Sequence, residues 1–344
     1  MLVNNVFINT HLYRFILLLN FSYFPLFING AQYQITYEQS NDLTNWSEVY
    51  SEIIERDSDI KFIRASIEKV ETFTYLTSGT LTHTQSWSQE INYDRTAHVE
   101  VPADANGPFP VIIFLHGAGG TGMNMLNQYK DYFNNYIKIG MDGYLNRWNI
   151  KTENSKADDI EFLSSLISQL TTFNNVKADD ITLLGTSNGA ALVLKAIVEL
   201  PTEKFKNAIY LAGQLSYDQY RDSQFWYNPY PSSEYTSPTI LPDRSKIISF
   251  HGTNDTIIPY YGGVVNWLNK NFYPAQLSKF YIAKGKGFTG TQLTADGSDT
   301  EYVNIKKYSY LENDVIHYKI NGGDHGLGGY KDSIVNLILE EIED

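Results

Sequence analysis

The run Ile181-Thr182-Leu183-Leu184-Gly185-Thr186-Ser187-Asn188-Gly189-Ala190-Ala191-Leu192-Val193-Leu194-Lys195-Ala196-Ile197 constrains the fold more than any other stretch of the chain. A short strand-forming segment meets a Gly-x-Ser-x-Gly pattern and then an Ala/Leu-rich helical segment, so a strand is expected to turn sharply into a helix. A turn that tight excludes bulky side chains two residues before and two after the serine, and Gly185 and Gly189 meet that demand. It would hold the Ser187 hydroxyl clear of a sheet and aim the Asn188 backbone N–H, at the helix start, toward developing negative charge. By itself the pattern arises by chance in roughly one chain in ten of this length. Its weight depends on partners elsewhere.

Those partners are sought at the ends of other buried strands. Pro110-Val111-Ile112-Ile113-Phe114-Leu115 is a nearly unbroken apolar run, the mark of a strand covered on both faces. Ala208–Gly213, Lys246–Phe250 and Val315–Ile320 read as further strands, and an amphipathic helix is expected from Ala157 to about Leu170, with another closing the chain from Asp332 to Ile342. Alternation of buried strands with helices predicts an α/β fold: a mainly parallel sheet with helices on both faces. Chemistry in such sheets gathers at the carboxyl ends of the strands. Ser187 follows one strand, Asp255 a second and His325 a third, in the order Ser…Asp…His of an α/β hydrolase.

The loop His116-Gly117-Ala118-Gly119-Gly120 lacks both the Gly-Lys-Ser/Thr ending and the Gly-x-Gly-x-x-Gly spacing of a phosphate cradle. It fits instead the glycine-rich loop that adds a second oxyanion donor, here the Ala118 N–H beside that of Asn188, with His116 holding the loop in shape. The Asp158-Asp159 pair reads as capping of a helix N-terminus and not as a metal site. Asp296 and Asp299 are too few for a calcium loop. Segments Thr72–Thr77 and Thr96–Val101 read as an antiparallel hairpin at a sheet edge. Between Gln214 and Asp243 periodicity is lost and aromatic residues accumulate, as expected of a wall or lid over a cleft.

The 344 residues suffice for one large domain with a small appendage. A formal net charge of −13 argues against a nucleic-acid partner. Residues 1–31, with Arg14 before the apolar stretch Phe15–Phe27, read as a signal peptide cleaved near Gly30 or Ala31, leaving no stable membrane span. The protein is thus expected to be secreted or periplasmic. With no cysteine, disulfides and thiolate metal sites are ruled out, which suits a bacterial source. Residues 32–69 read as a small β module or appendage, and 70–344 as the catalytic domain.

Taken in order, His116-Gly117, Trp148-Asn149, Ala157-Asp158-Asp159-Ile160-x-Phe162, Gly185-Thr186-Ser187-Asn188-Gly189-Ala190, Ala212-Gly213, His251-Gly252-Thr253-Asn254-Asp255-x-x-x-Pro259-Tyr260 and Gly322-Gly323-Asp324-His325 resemble the secreted feruloyl esterase and polyhydroxybutyrate depolymerase group of α/β hydrolases. The resemblance runs from about Pro110 to the C-terminus. It implies a cofactor-free serine esterase acting on feruloylated polysaccharide, hydroxyalkanoate polyester or a related ester. Catalysis would rest on Ser187, Asp255 and His325, with Ala118 and Asn188 as oxyanion donors. Candidate substrate contacts are His116, Trp148, Trp226, Tyr260 and Leu327, the last standing where the group commonly has tryptophan. A broad carboxylesterase, lipase or peptidase would use the same triad, and a non-catalytic polymer-binding protein is the reading from a different class.

Overall fold

The computed structural model describes residues 73–344 except 104–106, 202–203, 243–245, 295 and 344, and before residue 73 only the backbone of five strands. By its internal contacts the chain divides into Met1–Phe73 and Thr74–Asp344. In the first unit β1 (Arg14–Ile16), β2 (Phe27–Ile28), β3 (Ala31–Ser40), β4 (Ser47–Val49) and β5 (Phe62–Lys69) form an antiparallel sheet in the order β1-β5-β3-β2, with β4 also on β3. β3 and β5 pair antiparallel here, with Ile35 opposite Ile67. The remainder of the segment read as a leader, and residues 41–46, lie outside the described residues.

The second unit begins with β6 (Gly79–Trp87) and β7 (Glu90–Glu100), followed by β8 (Phe109–Leu115), β9 (Ile137–Met141), β10 (Val176–Thr186) and β11 (Asn207–Leu211). A small antiparallel sheet of β12 (Tyr220–Arg221), β13 (Gln224–Tyr227) and β14 (Ser237–Thr239) then precedes β15 (Lys246–Gly252). After the hairpin β16 (Gly263–Val265) and β17 (Lys270–Phe272) come β18 (Ser298–Asp299), β19 (Ile305–Tyr310) and β20 (Val315–Ile320). Ten of these strands make the central sheet, ordered β18-β19-β20-β15-β11-β10-β8-β9-β7-β6. Its middle, from β9 to β20, is parallel, and both edges are antiparallel.

The reason β8 reads as an unbroken apolar run is visible in its packing. Val111, Ile113 and Leu115 enter a core shared with α2 (Asp159–Leu170), α3 (Asn188–Glu199) and α4 (Ala275–Gly285). Ile112 and Phe114 point the other way, into a core built with α1 (Gly122–Tyr129) and α5 (Lys331–Glu343). The fold is therefore the expected α/β hydrolase arrangement, a mainly parallel sheet with helices on both faces. No helix among the described residues is long and apolar enough to cross a membrane.

Three local expectations change. The edge hairpin begins at Gly79, after the expected Thr72–Thr77 segment, because the Thr74 and Leu76 N–H groups donate to Asn174 and Asn175 side chains at 2.7 and 2.8 Å and not to a neighbouring strand. Asp158 caps α2, accepting from the Glu161 N–H at 3.0 Å, but Asp159 does not share that task. It is buried in an ion pair with Arg95 at 2.6 Å and also accepts from the Asn149 N–H. The stretch after Gln214, aperiodic in sequence, contains the small β12-β13-β14 sheet, whose strands are too short to establish a visible period.

Candidate active site

Ser187 stands alone between the last residue of β10 and the first of α3, at φ 53° and ψ −113°. A left-handed backbone at a non-glycine residue costs about 1–3 kcal/mol and persists only where its surroundings enforce it. Here they do: a Cβ on Gly189 would lie 2.0 Å from the Leu115 carbonyl oxygen, and one on Gly185 would lie 2.3 Å from that of Gly189. The Ser187 N–H donates to Leu211 O at 3.0 Å, tying the turn to the neighbouring strand end.

His325, on the loop after β20, bridges the other two residues. Ser187 Oγ lies 2.9 Å from its Nε2, and its Nδ1 lies 2.8 Å from Asp255 Oδ2 on the loop after β15. Residues from three strand ends thus meet in one hydrogen-bonded line. Asp255 Oδ1 accepts from the Ile257 and Ile258 N–H groups, and Oδ2 accepts a second imidazole, His251 Nε2, at 3.0 Å. Burial would raise the Asp255 carboxyl, but bonds from His251, His325 and the Ile258 N–H outweigh it and hold the group far below the ordinary carboxylate range. Asp324, adjacent to His325, is exposed and accepts from the Gly326 and Leu327 N–H groups, so it shapes the turn and leaves the acid position to Asp255.

The loop opposite the serine is braced from beneath. His116 is buried; its Nδ1–H donates to Gly117 O at 2.7 Å and its Nε2 accepts from the Gly143 N–H at 3.0 Å. Burial lowers the His116 pKa, which keeps that acceptor nitrogen free of a proton. Trp148, fully buried, donates from Nε1 to His116 O at 2.8 Å. The Asn188 side chain closes the frame in both directions: Oδ1 accepts from the Trp148 N–H at 2.7 Å and Nδ2 donates to Trp148 O at 3.2 Å.

No family model matches the chain, and no curated protein matches its sequence. Solved structures similar to it include the thermophilic esterase Est2 of the planctomycete Thermogutta terrifontis with butyrate bound, at 18% identity and TM-score 0.48 over 76% of this chain and 94% of that one. The acetyl xylan esterase of Aspergillus awamori is similar at 15% identity and TM-score 0.48, over 77% of this chain and 99% of that one. What the site can do chemically follows from its own geometry.

A cleft of about 300 Å³ opens at Ser187. Ala118 and Asn188 line it, as do Tyr235 from the aromatic stretch and Trp267 and Leu268 from the β16–β17 hairpin. The five candidate substrate contacts do not. His116 and Trp148 are the buried braces just described, and Leu327 is 2% exposed, packed in the core under α5. Tyr260 is 3% exposed, with its hydroxyl 3.0 Å from the buried His317 Nε2. Trp226, on β13, lies under the Arg221 guanidinium at 4.1 Å and donates to Arg221 O. Motif residues Ala118, Ser187, Asn188, Ala212 and Gly213 line one part of the cleft; Arg147, Gln219, Tyr235 and Trp267, which line the rest with others, carry no motif. Only the accumulation of aromatics after Gln214 signalled one of them.

Proposed function

We propose that the protein is a serine ester hydrolase working through Ser187, His325 and Asp255. The observation that carries this is His325 within hydrogen-bond reach of both the Ser187 hydroxyl and the Asp255 carboxylate, with Ser187 on a strained turn at the mouth of a cleft. His325 Nε2 takes the proton as Ser187 Oγ bonds to the ester carbonyl carbon, and the carbonyl π electrons move to oxygen. Backbone N–H groups of Asn188 and Ala118 receive that oxyanion; a donor of this kind is worth about 3 kcal/mol in the transition state. As the tetrahedral intermediate collapses, the alkoxide leaves with the proton from His325. Water then attacks the acyl-serine by the same route, releasing the carboxylic acid and restoring Ser187. Asp255, held ionised by its four donors, keeps the Nδ1–H tautomer of His325 and offsets the imidazolium charge.

The substrate class proposed is an ester of a feruloylated polysaccharide, a hydroxyalkanoate polyester or a related compound. A cleft walled by Tyr235 and Trp267, the latter 68% exposed at the rim, supports a substrate with flat apolar faces. Export by the leader at 1–31 would place the enzyme where such polymers occur. A fluorophosphonate probe tests the reaction class: it should label the folded protein at Ser187 and fail on Ser187→Ala. Methyl ferulate, short p-nitrophenyl esters and a hydroxybutyrate polymer, assayed side by side, should all be inert to Ser187→Ala, Asp255→Asn and His325→Ala. A folded wild-type protein that neither labels nor turns over any of them would sink the proposal.

A further inference from the structure

The cleft at Ser187 is lined by three charged side chains, Arg147, Glu153 and Lys270. Two of them neutralise each other: Lys270 Nζ is 3.1 Å from Glu153 Oε1, with both side chains 8% exposed. Glu153 Oε2 is occupied too, accepting from the Ile150 and Lys151 N–H groups. Arg147 differs. Among the described residues its guanidinium has no carboxylate, carbonyl or aromatic-ring partner, although the side chain is partly buried. In a chain of 39 acidic and 26 basic residues, a cation left without a carboxylate beside the reactive serine runs against the overall charge.

Its backbone is fixed. The Arg147 N–H donates to Tyr144 O at 3.2 Å, and the next residue, Trp148, is held at both N–H and O by the Asn188 side chain. Arg147 therefore projects from a point one residue away from a bond to Asn188, whose backbone N–H would hold the oxyanion. A guanidinium offers a rigid fork of donors that pairs two-to-two with a carboxylate, the strongest match available to it. Resting on the ester hydrolase reading, we infer that the preferred substrate bears a carboxylate near the scissile ester and that Arg147 anchors it. The carboxylate could sit on the acyl side, as in a half-ester of a dicarboxylic acid, or on the alcohol side, as in an acylated hydroxy acid or uronate.

Matched esters separate these cases. Phenyl hemisuccinate and its neutral isostere phenyl 4-methylpentanoate probe the acyl side, and 4-acetoxybenzoate and 4-isopropylphenyl acetate the alcohol side. Each rate is normalised to that in hydroxide alone. One pair should show kcat/KM at least tenfold higher for the anion, and Arg147→Gln should erase most of that ratio, which does not depend on the folded fraction of the variant. Ratios near one in the wild type, or a ratio unmoved by Arg147→Gln, would overturn the assignment. In Ser187→Ala, calorimetric titration with the same esters should give at least tenfold tighter binding of the favoured anion. If the wild type hydrolyses none of the four while Ser187→Ala still discriminates, Arg147 stands and the hydrolase reading falls. Equal binding alongside intact hydrolysis would overturn the role of Arg147 and leave the hydrolase reading in place.

Discussion

His251 and His325 donate to the same oxygen, Asp255 Oδ2, at 3.0 and 2.8 Å. His251 Nε2 also lies 2.9 Å from Ile258 O, so both its neighbours are acceptors and Nε2 must carry the proton. It touches no reacting atom, and its effect passes through the orientation of Asp255. His251→Phe is expected to lower kcat about tenfold to a hundredfold with KM little changed. His251→Gln, which keeps an N–H donor, should recover part of the loss. Wild-type kcat in the phenylalanine variant would show that the second imidazole does not position the carboxylate.

The Arg95–Asp159 pair, with side chains 1% and 0% exposed, links β7 to the start of α2 and to the Asn149 N–H next to Trp148. Removing one partner leaves a buried charge uncompensated. Asp159→Leu should cost about 3–5 kcal/mol in denaturant unfolding, and adding Arg95→Met should restore much of it. A double variant no more stable than the single one would mean that the guanidinium finds water or another partner.

Two glycines make a matched test of the turn. Gly189→Ala drives a Cβ into the Leu115 carbonyl, whereas a Cβ on Gly328 would meet nothing within 4 Å. The first should lose about 3 kcal/mol of stability or fail to fold, and Gly328→Ala should stay within about 0.5 kcal/mol of the parent. Comparable midpoints for the two variants would contradict the close approach.

Acid sensitivity has a definite sign. His317 is buried between Ser249 Oγ and the Tyr260 hydroxyl, and burial, reinforced by the Lys279 charge, holds its pKa well below the ordinary value; burial lowers His116 as well. Below about pH 6.5 the unfolded chain takes up protons that the folded chain refuses. The stability these rings contribute is complete above that pH and is lost as pH falls toward their folded values, by up to about 1.4 kcal/mol per pH unit for each. His317→Gln should flatten the slope of unfolding free energy between pH 6.5 and 5 by about one ring's share. Parallel slopes in the two proteins would remove His317 from the account.

Ser187, Asp255 and His325 could be read from the chain because each lies at a strand end where backbone geometry restricts residue type over several positions. A Cβ on Gly252 would sit 2.2 Å from Gly323 O, so the glycines before Asp255 and before His325 answer each other across the two loops. Local crowding of that kind leaves a pattern. His116 holds its loop in shape as expected, but it, Trp148, Tyr260 and Leu327 are buried in the frame of the site and do not line the cleft as substrate contacts. Arg147, Tyr235 and Trp267 reach the cleft through folding of distant segments. No spacing marks them; the Tyr235 hydroxyl, for one, donates to Ile150 O, far away in sequence.

Where β10 turns into α3 and the loops after β15 and β20 meet, the parts of this site are joined main chain to main chain, through Gly185, Gly189 and Gly252. The side chains facing the cleft are not part of that joinery. Trp267, exposed at the rim, and Arg147 can then be exchanged while the Ser187 oxygen keeps its place, so that on the proposed ester hydrolase activity the protein is a chassis whose preference changes by altering the walls alone.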